Sequence, residues 1–216
     1  MLDLLREDWL LPAFSGAKAD TEGWVDSLMA GFVSSADTGN EELVIATRAA
    51  LAEFCERSTA NVELICTALA RNLKAWQGTD RVLVPTLEVA AFLFHIGVFA
   101  RCGGVNYKSM CLQVQKACYK TGNVRKIEAC IRMYGAIAEL GRNAVSTTTE
   151  TDDAQKIKAG AREARIRLGA LMFHPWPRVR AMVVDELWSL HHHDDPAVED
   201  LKGTDWGRAE KSKIKR

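Results

Sequence analysis

Long apolar runs are missing from the 216 residues, and that absence excludes a membrane span of the usual helical kind. The longest candidate, Val89 to Ala100, has the length of a buried core helix. The first residues, MLDLLREDWLL, are acidic and lack the apolar core of a secretory leader, so no export signal is expected. The signatures G-x-x-x-x-G-K-[ST], G-x-G-x-x-G, G-x-S-x-G and H-E-x-x-H are absent too. No catalytic residue, cofactor or metal is therefore expected, and an enzyme is the least favoured class. The run His191-His192-His193-Asp194-Asp195 sets its side chains next to one another, whereas a metal site on a helix needs ligands at i and i+3 or i+4. A polar helix end is the better account. No cysteine belongs to a C-x-x-C pair. Most of the six, Cys55, Cys66, Cys102, Cys111, Cys118 and Cys130, sit among Ala, Leu and Ile at helical spacing, as small hydrophobic groups kept reduced in a cytosol.

Neither sign of charge is in excess: 28 basic and 28 acidic side chains cancel. No strongly basic domain argues for nucleic acid. The spread is uneven, however. Residues 1–60 carry 11 acidic and 4 basic groups, residues 61–150 carry 6 and 11, and residues 151–216 carry 11 and 13. This suits a solvated surface, or a dipolar chain whose basic middle meets an acidic protein.

What remains reads as helix after helix. Residues 1–40 form a helical lead-in, with short helices at Leu2–Leu11 and Trp24–Phe32. Glu41–Arg57 steps Val44, Thr47, Leu51 and Phe54 at threes and fours, behind two acidic residues. Asn61–Trp76 carries Val62, Ile65, Leu69, Leu73 and Trp76, with Asn61 as N-cap. Arg81–Phe99, capped by Asp80 and kinked at Pro85, is apolar on two faces and so belongs between two neighbours. A mixed helix spans Val105–Tyr119. Gly122-Asn123 opens the next, striped by Val124, Ile127, Ile131, Tyr134 and Ala138. Arg142 to Gln155 is polar and reads as an exposed loop. Ile157–Phe173 is basic on its outer face through Lys158, Arg162 and Arg165. In Phe173 to Leu190, Pro175 and Pro177 suit a turn and a first helical turn, and Val179, Val183, Leu187 and Leu190 form the stripe beyond. Residues 206–216 are a basic tail.

A period underlies these helices. The first valine expected in the core falls at Val44, Val82, Val124 and Val179, at spacings of 38, 42 and 55. Helix-pair repeats of the HEAT and armadillo type recur at roughly 40–47 residues. The long third spacing is accounted for by the polar loop 142–155. The turns TDRVLVP, TGNVRKI and PWPRVRA repeat one chemistry: a turn residue, a valine near a basic residue, then an apolar helix. The expected fold is all-α, a HEAT/armadillo-like superhelix of stacked antiparallel helix pairs over residues 41–205. Function then lies on surfaces. Arg125 and Arg180 each follow a repeat valine. They stack as a ladder tying neighbouring turns, or they join Arg81, Lys126 and Arg178 in a partner-facing basic ridge. Trp176, between two prolines, is a lid on the core or an exposed anchor for a partner. His95 reads as a core histidine, and His174 as bonding a backbone group in its turn.

These residues carry a family resemblance. HPWPRVRAMVVDELWSL resembles the H-P-[aromatic]-P-x-[Ile/Val]-R…L segment of the C-terminal domain of tubulin-folding cofactor D. NVELICTALARNLKAWQGTDRVLVPTLEVAAFLFHIGVF is similar to that family's D-R-V-x-V-P-x-L…L…G-x-F segment, and LKGTDWGRAEKSKIKR to its Thr-x-Trp and basic close. The resemblance covers most of residues 40–210, with 142–155 a departure. It implies a HEAT-repeat chaperone that captures β-tubulin, assembles with cofactors C and E and an Arf-like small GTPase, and promotes GTP hydrolysis by tubulin. The chain would be the C-terminal piece, cytoplasmic and cytoskeleton-associated, acting without a membrane or nucleic acid. The alternative is a generic HEAT-repeat scaffold of trafficking or phosphatase-regulatory type.

Overall fold

A computed structural model of the chain describes residues 30–31, 41–144, 152–191, 201, 203–206 and 208–209. The expected lead-in helices apart from Ala30 and Gly31, the middle of the polar loop, the His192–Asp195 part of the histidine run and most of the basic tail lie outside the described residues. The chain divides into two compact units, Met1–Val105 and Asn106–Arg216.

The first unit holds α1 (Glu41–Arg57), α2 (Thr59–Ala75), α3 (Asp80–His95) and a 3-10 turn (Phe99–Arg101). Ser58 alone separates α1 from α2. Its hydroxyl accepts the Asn61 backbone amide at 3.1 Å, and the Asn61 side chain donates to the Phe54 carbonyl at 2.9 Å. Ser58, not Asn61, is therefore the N-cap, because the helix starts two residues earlier than expected. Asn61 instead braces α2 against the end of α1. Val62, Ile65, Leu69 and Leu73 are buried, while Trp76, past the helix end, is exposed. Thr79 holds the N-cap position of α3, and Asp80 is its first helical residue, at the positive end of the dipole. The face of α3 formed by Leu83, Leu87, Ala90 and Phe94 is buried, whereas the other expected face is buried only at Val89 and Leu93, with Val82 half-buried and Ile96 exposed.

α3 ends earlier than its apolar pattern suggests, in a Schellman motif. The Val98 N–H reaches the Leu93 carbonyl at 2.9 Å and the Gly97 N–H reaches the Phe94 carbonyl at 3.0 Å. Gly97, at φ 78°, supplies the left-handed step. The reversal sends Val98 and Phe99 back into the core, where the Phe99 ring stacks on Phe94 at 3.9 Å. His95, in the last turn before this reversal, is exposed rather than a core histidine.

The second unit holds α4 (Tyr107–Cys118), α5 (Val124–Ala144), α6 (Asp152–Leu171) and α7 (Pro177–Leu190). α5 is its axis, packing on α4, α6 and α7. Asn106 caps α4 by accepting the Ser109 amide at 2.9 Å, and Asn123 caps α5 by accepting the Lys126 amide at 3.1 Å. The expected stripe of α5 is buried from Ile127 through Ala138. The polar loop is shorter than its composition implies. Arg142 is still helical and pairs with Glu139 at 3.0 Å, and Asp152 and Asp153 already form the first turn of α6, where acidic groups are favoured.

Of the four repeat valines, Val179 is fully buried, but Val44, Val82 and Val124 are only half-buried. Each of these three sits near the open start of its helix. The core position passes to Thr47 and Leu51, to Leu83, and to Ile127. Each unit is all-α and built from packed helix pairs in the HEAT-like manner, with no strand among the described residues.

Candidate protein-docking surface

α6 turns its small residues inward. Ala154, Gly160, Ala161, Ala164 and Leu168 are its buried set. The crossings they permit are close: a Cβ added at Gly160 would lie 2.3 Å from the Tyr107 Cβ, and one added at Gly141 of α5 would lie 2.1 Å from the Ala161 Cβ. Bulk is left for the outside. Ile166 is 54% exposed and Phe173, just beyond the helix, 40% exposed. Arg162, Ile166, Gly169 and Phe173 step by fours and a three along one outward stripe, and exposed Lys158 and Arg165 flank it. Glu163, the one acidic residue of α6 beyond its first turn, is drawn aside into an ion pair with Arg167 at 2.5 Å.

The stripe runs into the proline-bracketed turn. Trp176 is the N-cap residue of α7, Pro177 its first helical position, and the Trp176 side chain is 38% exposed. His174 Nδ1 accepts the Trp176 amide at 3.1 Å, as the sequence led us to expect, and its ring meets the Trp176 ring edge-on at 5.2 Å. An acceptor nitrogen must be unprotonated. Burial, and then the charge of Arg180, lower the His174 pKa and so favour the neutral ring. Arg180 closes the turn from within: Nε donates to the Trp206 carbonyl at 2.7 Å, and Nη1 donates to the carbonyls of His174 at 2.6 Å and Pro175 at 3.3 Å. The Trp206 indole N–H donates in turn to the Leu201 carbonyl. Between α7 and this C-terminal segment lies an open groove of about 390 Å³, floored by Ala181 and Val184 and walled by Pro177, Arg178 and Trp206.

The six residues singled out in the sequence are thus placed very differently. Arg125, Arg178 and Trp176 are exposed in the second unit, and Arg81 is exposed in the first. Arg180 is half-buried and engaged with three carbonyls, an internal tie within one turn. Lys126 is 7% exposed, so it does not stand on an open ridge. The sequence reading passed over Ile166 and Phe173. Their signal was present as a second apolar stripe on α6, opposite the Ala and Gly stripe, but large side chains are ordinarily assigned inward.

Glu186 of α7 rests on α5 at Gly135, where an added Cβ would come 2.1 Å from its Oε2. Burial, partly offset by Arg132, pushes its carboxyl up to about 7. No cluster of His, Cys, Asp and Glu suited to a metal ion occurs among the described residues, and none of their helices is long and apolar enough to cross a membrane.

Comparison with protein families matches residues 4–126 to the family described as tubulin folding cofactor D C terminal. No curated protein and no solved structure matches the chain. The matched span, more than half of the chain, takes in α1 to α4 and the expected lead-in. It contains the 61–99 segment that carried the resemblance but stops before the HPWP run, so the likeness is displaced towards the N-terminus relative to the expected 40–210.

Proposed function

The chain belongs to the tubulin folding cofactor D C-terminal family, whose partners are tubulin-related, and from that premise we propose that it is a protein-docking domain of a tubulin-folding chaperone. It binds β-tubulin and, with cofactors C and E and an Arf-like small GTPase, serves αβ-tubulin assembly and disassembly in the cytoplasm at the cytoskeleton. It promotes GTP hydrolysis by tubulin through contacts and carries no active site of its own.

The observation that carries this reading is the inverted α6. A helix with Ile166 outward and Phe173 just beyond its end, beside the exposed Lys158 and Arg162, is suited to an acidic surface that offers apolar pockets, while the Arg165 guanidinium donates back to the Ala138 carbonyl of α5. The aliphatic and aromatic groups supply buried area, and the cations supply orientation and encounter rate. Trp176 and Arg178 extend the same chemistry past the turn.

The test is a pull-down of the full chain with β-tubulin and with cofactor E at micromolar concentration. Binding is expected in the wild type. Ile166→Asp and Phe173→Asp are expected to weaken it by roughly tenfold or more without moving the melting temperature. No binding of the wild type to either protein, or full binding by both variants, overturns the assignment.

A further inference from the structure

Two pairs of cysteines touch within the chain, one in each unit, and they are built differently. In the first unit the Cys66 thiol hydrogen-bonds Cys102; both are buried, and that bond, with burial, pushes the Cys66 pKa well above its ordinary value. In the second unit Cys118, the last residue of α4, hydrogen-bonds Cys130 in the second turn of α5. Cys130 Sγ also lies 3.7 Å from the Val114 carbonyl. That carbonyl points along α4 towards Cys118, four residues on, so the second sulfur is held at the end of the first helix.

Access and charge separate the pairs. Cys118 is half-buried and forms part of the wall of an open cavity of about 240 Å³, shared with Gln115, Lys120, Tyr134, Arg167 and His174. Tyr134 is buried and Arg167 is committed to Glu163, so the positive charge near Cys118 comes from Lys120 on the cavity wall and from Lys126. When the single Cys130 thiol proton turns from the Val114 carbonyl to the Cys118 sulfur, that bond, and then the charge of Lys126, favour the Cys118 thiolate against the cost of partial burial. Reactive cysteines are found in partly exposed, electropositive places of this sort, with a resolving thiol alongside. Small hydrophobic cysteines are not.

We propose that Cys118 is a hydroperoxide-reactive thiol and Cys130 its resolving partner. The Cys118 thiolate attacks the outer oxygen of a hydroperoxide. The O–O bond breaks, an alcohol or water leaves with a proton, and the sulfur becomes a sulfenic acid. The Cys130 thiol then gives up its proton and attacks the Cys118 sulfur. The S–O bond breaks, water leaves, and a disulfide joins the end of α4 to α5. Two thiols lose two protons and two electrons, and the hydroperoxide is reduced to an alcohol and water. A thiol reductant reverses the bond.

The experiment uses the full chain, reduced and then treated with hydrogen peroxide, with remaining thiols alkylated and peptides mapped by mass spectrometry. Cys118 and Cys130 are expected as one crosslinked peptide pair, while Cys66 and Cys102 stay reduced. Before oxidation, Cys118 is expected to alkylate roughly tenfold faster than Cys66 or Cys111. In Cys130→Ser the sulfenic acid on Cys118 is expected to persist long enough for capture by a cyclic dicarbonyl probe. A crosslink at Cys66–Cys102 instead, or equal alkylation rates in the wild type, overturns the proposal without requiring any variant to fold.

Discussion

In the first unit the helices meet through large side chains: Leu51, Leu69, Leu73, Leu83, Leu87, Leu93 and Phe99 are all essentially inaccessible. In the second, α6 meets α4 and α5 through Gly141, Gly160, Ala161 and Ala164, and the backbones come close. The first arrangement fills its interior with large apolar groups, although Ile45 and Trp76 stay exposed there as well. The second draws on them less, and Ile166 and Phe173 remain outside. A helix packed through small residues can thus be tightly held and still present large apolar groups on its outer face.

The contrast is testable. The largest effect is expected from Val179→Asp, which buries an unpaired carboxylate in α7 at a cost of roughly 4 kcal/mol or more. Hydrogen exchange should then show protection lost in α4 to α7 while α1 to α3 keep theirs. Simultaneous loss in both would break the division into two units.

Next comes pH. The Glu186 carboxyl lies above its ordinary value of 4.5, at about 7. Below 4.5 the native and unfolded chains both hold the proton. Between 4.5 and 7 only the native chain holds it, so stability falls as pH rises through this window and levels off above it. The fall is at most about 3 kcal/mol, and less for a side chain that keeps some solvent. Melting temperatures across the window should show the slope in the wild type and a flatter profile in Glu186→Gln. Equal slopes would remove the assignment.

A third test sets the two packing modes side by side. Gly160→Ala forces a methyl group against Tyr107 and should cost about 1–3 kcal/mol, whereas the volume-conserving Leu87→Met in α3 should cost less than about 1.5 kcal/mol. Chemical denaturation measures both, and a neutral Gly160→Ala would mean that the crossing is looser than described. The smallest expected change in stability is that of Arg178→Glu, within about 0.5 kcal/mol. Its effect should appear in weaker β-tubulin binding, and unchanged binding would confine the surface to α6.

Much of the fold is legible in the residues. The stripes of α2, α3 and α5 are continuous enough to fix helix identity and inward face, and Asn123 and Pro177 mark two starts. Helix ends are harder. Ser58 caps α2 from a one-residue connection, which sequence alone does not distinguish from an Asn61 start, and the Schellman turn after His95 falls inside an unbroken apolar run. Polar composition misplaced the loop before α6 because Asp152 and Asp153 serve equally well as a first helical turn. The docking surface was less legible still, since nothing local says that Ala161 and Ala164, rather than Ile166, face the core.

Arg180 bears on how such a surface would be mapped. Its guanidinium joins the carbonyls of His174 and Pro175 to that of Trp206, so the last segment of the chain and the tryptophan turn share one fastening. Deletion series that reach back through Trp206 would therefore remove basic residues and unclasp the turn in a single cut. A loss of affinity in such a series would be assigned to the tail when the damage lies thirty residues upstream, and point substitutions that leave Arg180 its acceptors are the cleaner instrument.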